Sequence, residues 1–284
     1  MKLEGIHHIT AITAEAQPNV YHLFYADEEG SPGADLTFFE FRGAPRGRAG
    51  DGMVHRIVWR VASAEALSFW AQRLEAAGTA VNQAGDGLRF ADPEGLEHEL
   101  VVAEVDDAPL IADHPEVPRE MALQGFHAAR AYSSNPERSV GMLEEALAFE
   151  RAGAGWEARG SDRGGLWAYD PPPGERSLQG AGTVHHIAWA APTEEHEAWR
   201  QRVVEAGGRP TPVIDRFWFR SVYFREPSGV LFELATLGPG FAVDEDPAHL
   251  GEALILPPFL EAQREQIEAE LTPISNPRQS RAAS

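Results

Sequence analysis

The sequence predicts an α+β fold built from four copies of one small unit, each running strand, helix, then three strands. Three observations carry this. Val54-His55-Arg56-Ile57-Val58-Trp59 is repeated in kind by Val184-His185-His186-Ile187-Ala188-Trp189. Each copy is followed by a segment with apolar residues at helical spacing and then by a glycine turn. Each series then ends in a strand pair joined by a D/E-P-x-G connection, which is hairpin turn chemistry.

The first unit opens at Gly5 and ends in Asp35-Leu36-Thr37-Phe38-Phe39. It is anomalous, because only eight residues separate Ile12 from Tyr21, an interval on which the other units spend a helix and a strand. Either an element has been lost or the sequence joins residues that flank a missing segment. The second is the expectation, since losing a helix would uncover one face of the sheet. The second unit begins at Val54, with a helix over 64–77 whose apolar positions are Leu67, Trp70, Ala71 and Leu74, and ends in FADPEGLEHELVV. The third begins at Gly125-Phe126-His127, with a helix over 138–147, and runs to Gly165-Leu166-Trp167-Ala168-Tyr169. The fourth begins at Val184, with a helix over 193–206 carrying Trp199, Val203 and Val204, and ends in YFREPSGVLFELA. The Pro- and acid-rich stretch Asp113-His114-Pro115-Glu116-Val117-Pro118 reads as a linker. The chain thus divides into an N-terminal domain over 1–112, a linker over 113–120, a C-terminal domain over 121–240 and a tail over 241–284. A helix is expected over 257–271, and fraying beyond Thr272.

With 284 residues the chain can bury a sizeable core. It has no cysteine, which excludes disulfides, thiolate metal sites, Fe–S clusters and cysteine nucleophiles. A metal must therefore be held by imidazole, carboxylate or other oxygen ligands. The net charge of −20 repels phosphate backbones, so nucleic acid is not an expected partner. No apolar run approaches the roughly 20 residues that span a bilayer, and no basic and apolar leader opens the chain. The expectation is a cytoplasmic protein without a membrane partner; a homo-oligomer is left open.

Two features carry chemistry. His7-His8 and His185-His186 stand at equivalent places, the starts of strands in the first and fourth units. Glu233 lies between Phe232 and Leu234 in an apolar strand, where a carboxylate is costly unless it is paired or bound to metal. Two imidazoles and one carboxylate form the ligand set of non-haem iron centres with open positions. A lone histidine on an apolar strand is more often structural, and Glu233 could instead form a buried salt bridge. Strand alternation sends adjacent residues to opposite faces, so one histidine of each pair is expected to enter the cavity while the other supports from the rim. Glu40, at the end of the first unit, is either a second carboxylate ligand or, more simply, a solvent-facing edge residue. The second and third units offer Arg56, Glu99 and His127 in the corresponding places. Arginine stays protonated and cannot ligate, so this reads as a decayed site with an Arg56–Glu99 ion pair and no metal. His22, His55, His98, His114, His196 and His249 carry no comparable signal.

GIHHITAI, YHLFYADEEGSPGADLTFF, GAPRGR, VHHIAW, DRFWFRSVYFREPSGVLFELAT and LPPFLEAQREQIE resemble, in order and over nearly the whole chain, ring-cleaving dioxygenases of the hydroquinone type within the vicinal oxygen chelate superfamily. The resemblance implies units paired into two open half-barrels. It implies His8, His186 and Glu233 as ligands of Fe(II), with Mn(II) also suited to the same set. Because these come from the first and fourth units, those units should pair in space. It further implies His7, His185, Thr10, Arg216 and Tyr223 around the substrate, with an aromatic wall among Phe217, Trp218, Phe219 and Phe224. The expected activity is extradiol-type cleavage of a hydroquinone or catechol-like aromatic by O2. Two alternatives stand beside it: a glyoxalase-like isomerase or lyase using Ni(II), Zn(II) or Co(II) with Glu40 as a further ligand, and a non-enzymatic small-molecule binding (resistance) protein of the same fold.

Overall fold

In a computed structural model that describes residues 1–14, 22–41, 43–271 and 274, fifteen strands form two sheets. The first unit supplies β1 (Ile6–Thr13), β2 (His22–Tyr25) and β3 (Asp35–Glu40). The second supplies β4 (Val54–Val61), helix α1 (Ala64–Ala76), β5 (Val81–Ala84), β6 (Gly87–Ala91) and β7 (Glu97–Val102). The third supplies β8 (Phe126–Tyr132), β9 (Glu150–Ala152), β10 (Gly155–Arg159) and β11 (Gly164–Asp170). The fourth supplies β12 (Thr183–Ala191), helix α2 (His196–Glu205), β13 (Ile214–Asp215), β14 (Arg220–Arg225) and β15 (Leu231–Thr236). The tail carries α3 (Arg264–Glu270). Among the described residues, no helix is long and apolar enough to cross a membrane.

The seven-stranded sheet runs β13-β14-β15-β12-β1-β3-β2, and the eight-stranded sheet runs β5-β6-β7-β4-β8-β11-β10-β9. The first unit therefore pairs with the fourth, as expected, and the second with the third. Each sheet takes one unit from 1–112 and one from 121–240. The plan is the same in both sheets. Two opening strands meet antiparallel at the centre (β1 with β12, β4 with β8), and each lies parallel to the last strand of its own unit.

Alternation along these strands separates core from site. In β12, Ile187 and Trp189 join the main core, while His186 and Ala188 face the other way. In β15, Phe232 and Leu234 face the core and Glu233 does not. The sheets meet through the core face, where Trp167 of β11 lies 6.0 Å from Trp189 and 5.1 Å from Phe232, ring centre to ring centre. The helices pack as their spacing predicts, through Leu67, Trp70, Ala71 and Leu74 of α1 and through Trp199 and Val203 of α2, although Val204 is exposed.

The two D/E-P-x-G turns are built alike. Asp92 Oδ1 accepts from the Leu96 amide at 2.8 Å, and Glu226 Oε1 accepts from the Val230 amide at 2.9 Å. In each, the glycine (Gly95, Gly229) has the positive φ that a side chain would strain. Two expectations are corrected. The helix expected over 138–147 is a 3-10 turn, Pro136–Ser139, followed by a wide π turn, Gly141–Ala146, that buries Met142, Leu143 and Ala146. The tail helix is confined to Arg264–Glu270 after a 3-10 turn at Glu261–Gln263. The segment expected to be missing between Ile12 and Tyr21 falls largely on 15–21, outside the described residues.

An ion-pair network ties the central strands of the eight-stranded sheet together. Asp170 of β11 accepts from Arg130 Nε of β8 at 2.8 Å and lies 2.8 Å from His55 Nε2 of β4. The Arg130 hydrogen bond holds the Asp170 carboxyl down at about 2, assisted by His55. The unfolded value is about 4, so the network stabilises the fold at neutral pH. That contribution is lost as pH falls from about 4 to about 2. Asp170→Asn should lower stability at neutral pH by on the order of 1–2 kcal/mol, allowing for partial solvent screening, and flatten this part of the acid transition. Denaturant melts at neutral and acidic pH measure both effects.

Candidate metal centre

The pairing of β1 with β12 is interrupted twice. Its register passes from Ile6↔Trp189 to His8↔Ala188, and from Thr10↔His186 to Ala11↔Val184. His7 and His185 are thus each the extra residue of a β-bulge, which re-aims side chains and ends strict alternation. This corrects the expectation that the members of each pair face apart. His7 Nδ1 lies 3.0 Å from His8 Nδ1, and His185 Nδ1 lies 2.8 Å from His186 Nδ1. The bulges present both pairs edge to edge, across the centre of the sheet.

His8, His186 and Glu233 converge. His8 Nε2 and His186 Nε2 are 3.1 Å apart, and Glu233 Oε2 lies 3.1 Å from the first and 2.9 Å from the second. All three residues are buried. Neither Glu233 oxygen has a well-directed hydrogen bond despite these approaches, which leaves both oxygens with lone pairs for a metal. Metal–ligand distances of about 2.1 Å at right angles would put neighbouring donors about 3.0 Å apart. The near-equilateral triangle therefore fits one face of an octahedral ion. Among the described residues this is the one such group of histidines and carboxylates.

The outer histidines fix the state of the inner ones. His7 Nε2 lies 3.2 Å from the Thr236 carbonyl, so it must carry a proton and donate. Burial, reinforced by His8, presses the His7 pKa down to about 3. The ring is therefore neutral, and its Nδ1 accepts from His8 Nδ1–H. His8 Nε2 is thereby left facing Glu233, where it holds either a proton shared with the carboxylate or a metal in that proton's place. His185 is likewise neutral, its pKa lowered to about 4 by burial and by His186, and it makes the same edge contact. Burial works against ionisation of Glu233, but His8 and His186 outweigh it and hold its carboxyl well below the usual range. Burial also presses on His8, and there the Glu233 charge wins, raising its pKa.

The other sequence-expected residues gather here too. Thr10 Oγ1 lies 3.0 Å from His186 Nε2. The Tyr223 ring stands at right angles to His186 with centres 5.5 Å apart, and Arg216 Nη2 donates to the Tyr223 hydroxyl at 3.4 Å. Burial, with the Glu233 charge, raises the Tyr223 pKa to about 12. Of the aromatic wall, Phe219 covers His7 and His8 at ring distances of 5.2 and 5.4 Å, whereas Phe224 points into the core beside Phe232. Phe217 holds the left-handed backbone, φ 74°, that turns the chain between β13 and β14.

Sequence reading missed three participants. The position of β3 that matches Glu233 of β15 is Thr37, opposite Thr10 as Glu233 is opposite Ala188. Thr37 Oγ1 donates to Thr10 Oγ1 at 2.8 Å, and His22 Nε2 lies 2.8 Å from Thr37 Oγ1, so His22 is linked to His186 through two hydroxyls. Asp35, two residues before Thr37 on the same strand face and opposite His8, is buried with neither oxygen hydrogen-bonded; burial raises its pKa to about 7. The signal for His22 and Asp35 was β2–β3 pairing, which no local pattern discloses. Glu40 is not the solvent-facing residue expected. It is fully buried, opposite Thr13 and three residues beyond Thr37. In the other sheet, Arg56 pairs with Glu99 at 3.3 Å as expected, and with Glu97 at 2.9 Å.

These distances predict uptake of one divalent ion per chain with proton release, since His8 favours a proton that a metal must displace. Affinity should rise as pH is raised through the His8 pKa. His186→Ala and Glu233→Gln should abolish uptake, while His7→Ala should weaken it by about 10–100-fold. Metal titration followed by a pH indicator measures all of these; full uptake by His186→Ala would contradict the assignment.

Comparison with known proteins agrees with this arrangement. The family described as "Glyoxalase/Bleomycin resistance protein/Dioxygenase superfamily" matches residues 125–234. The chain is 36% identical over 304 positions to "Putative ring-cleaving dioxygenase MhqO" of Bacillus subtilis strain 168, covering 96% of this chain and 97% of that one. Those 304 positions exceed the 284 residues here, so MhqO has residues with no counterpart in this chain. It is 30% identical over 309 positions to the chlorohydroquinone/hydroquinone 1,2-dioxygenase of Sphingobium indicum, covering 94% and 95%. A B. subtilis crystal structure described as a "putative dioxygenase" superposes with a TM-score of 0.88 at 35% identity, covering 96% and 98% of the two chains. Maize glyoxalase I shares the fold alone, with a TM-score of 0.53 at 13% identity and coverage of 82% and 92%. The chain belongs to the glyoxalase/bleomycin resistance protein/dioxygenase superfamily, in the family that contains these ring-cleaving dioxygenase relatives.

Proposed function

We propose that the chain is a metal-dependent ring-cleaving dioxygenase, with Fe(II) held by His8, His186 and Glu233 and a hydroquinone-like aromatic as substrate. The observation that carries the reading is the three-donor triangle, whose fourth strand position is Thr37 rather than a carboxylate. A donor face with only three protein ligands leaves room for two small molecules on one ion. The names of MhqO and of the S. indicum enzyme support an aromatic substrate and O2. A glyoxalase-like site would need a further carboxylate, and Glu40 lies three residues past the position that could supply it.

When bound, the ion would acidify a ring hydroxyl and pass electron density from ring to O2, so that both oxygen atoms enter the opened ring. The chain's own groups do the rest. Phe219 and Phe39 bound the space beside the ligand rings, Phe219 against His8 and Phe39 against His186, and exclude water from it. Arg216 and Tyr223 stand together on one side, where a guanidinium and a hydroxyl donor stabilise negative charge on a substrate oxygen. Tyr223 stays protonated at neutral pH and so acts as donor rather than base. His7 and His185 hold the inner imidazoles in the tautomer that ligates. His185 is half-buried where His7 is closed in, but its one lone pair faces His186 Nδ1, so both outer rings act as positioning groups rather than as the base for the hydroxyl proton. Cleavage beside a ring hydroxyl, the extradiol type, is part of this proposal.

The test supplies the protein anaerobically with Fe(II), then a substituted hydroquinone and O2. Consumption of one O2 per ring-opened product is expected. Absence of uptake across hydroquinones and catechols, with iron shown to be bound, would sink the reading. Tyr223→Phe should keep iron and lower kcat by roughly 10²-fold or more. Mn(II) in place of Fe(II) provides the comparison that assigns the metal.

A further inference from the structure

The eight-stranded sheet repeats the scaffold of the candidate centre without its ligands. Its register steps over His55 and His127, so these are bulge residues matching His185 and His7. The inner positions are then Arg56 and Ala128, and the positions matching Glu233 and Thr37 are Glu99 and Ala168. This refines the sequence expectation, which placed His127 itself at the ligand position. Two alanines stand where side chains reach inward in the other sheet, and the concave face here is open. A cavity of about 340 Å³ lies over Ala128 and Ala168, and a second of about 210 Å³ adjoins it; both are bounded by His127 and Leu166.

The chemistry of the two cavities differs from that of the chain as a whole, which carries a net charge of −20. Four arginines line them (Arg60, Arg89, Arg130 and Arg159) against three carboxylates. The carboxylates are engaged. Glu99 lies 3.3 Å from Arg56 and 3.0 Å from Arg89, Glu157 accepts from Arg159 at 2.8 Å, and Asp107 is held by Arg159 and by the Gly164 amide at 3.0 Å. Arg60 is the exception among the cations. Its side chain is 3% exposed, its nearest carboxylate, Asp107, is 3.8 Å away, its Nη2 donates only to the Gln124 carbonyl at 2.9 Å, and its Nε has no hydrogen-bond partner. Burial, with Arg163 nearby, weakens its hold on its own proton. A buried guanidinium with one long ion pair and one carbonyl contact keeps donor capacity that a second anion would satisfy. The larger cavity offers that anion's remainder an apolar bed formed by Val58, Val101, Leu166 and the Trp156 ring.

We propose that the concave face of the second half-barrel is a binding site for a small aromatic or unsaturated carboxylate, its carboxylate against Arg60 and His127 and its hydrocarbon part over Ala128 and Ala168. The larger cavity matches the volume of a one-ring ligand. A guanidinium selects the charged form over a neutral isostere. The site binds without metal, and it stands whether or not the other sheet cleaves rings.

The experiment titrates benzoate, and separately its neutral isostere benzamide, into the full-length protein by calorimetry. One equivalent of benzoate should bind, with benzamide at least about tenfold weaker. Arg60→Gln should cost benzoate about tenfold or more. Ala168→Leu keeps every charge and fills the cavity, and should cost a similar factor. His186→Ala should leave benzoate affinity unchanged, which separates this site from the metal centre. A thermal melt like that of the parent qualifies each variant as folded. Absence of benzoate binding, equal binding of benzamide, undiminished binding to folded Ala168→Leu, or loss of binding in His186→Ala would each overturn the proposal.

Discussion

The arrangement depends on two β-bulges at the join of β1 with β12. Without them, adjacent residues of a strand would face opposite ways and each histidine pair would be split between core and cavity. With them, His7 and His185 are the extra residues, and each sits edge-on to the histidine that follows it. The bulges also set the depth at which His8 and His186 enter, so that their Nε2 atoms meet Glu233 from the neighbouring strand. The same device at His55 and His127 shapes the second sheet, where it supports a different chemistry.

Charge is placed by strand face. Residues on the core side of β12 and β15 are apolar and pack against Trp167 of the other sheet. Those on the concave side carry the polar groups, each compensated in its own way. Glu233 is met by two imidazoles, Glu99 by two arginines and Asp170 by Arg130 and His55. A buried carboxylate is expensive alone, so these compensations govern where acidic residues survive in the interior. Asp35 has neither oxygen hydrogen-bonded, and Arg60, with only a long ion pair to Asp107 and one carbonyl contact, faces a cavity rather than core.

Much of this was legible in the sequence, because repeated units announce themselves by period and by turn chemistry. The repeated VHRIVW and VHHIAW starts, the two D/E-P-x-G turns and the lone carboxylate within Phe232-Glu233-Leu234 located the strands and the three converging residues. The resemblance to ring-cleaving dioxygenases added Thr10, Arg216 and Tyr223, which do gather around them. What stayed hidden depends on pairing between distant strands. The bulges have no glycine or proline to mark them. Thr37 and Asp35 gain their positions from the parallel pairing of β3 with β1, and His22 from the antiparallel pairing of β2 with β3. Glu40 read as an edge residue because its burial comes from tertiary packing rather than from the polarity of its neighbours.

The central claim is that three protein atoms, and no fourth, present a metal to an aromatic substrate. The most direct measurement is a crystal structure of the iron-loaded protein with a hydroquinone bound under anaerobic conditions. The account predicts His8 Nε2, His186 Nε2 and one Glu233 oxygen as the protein ligands, with a ring hydroxyl on the ion and Tyr223 and Arg216 beside it. A fourth protein ligand such as Glu40 or Asp35, or a hydroquinone bound away from the ion, would contradict it.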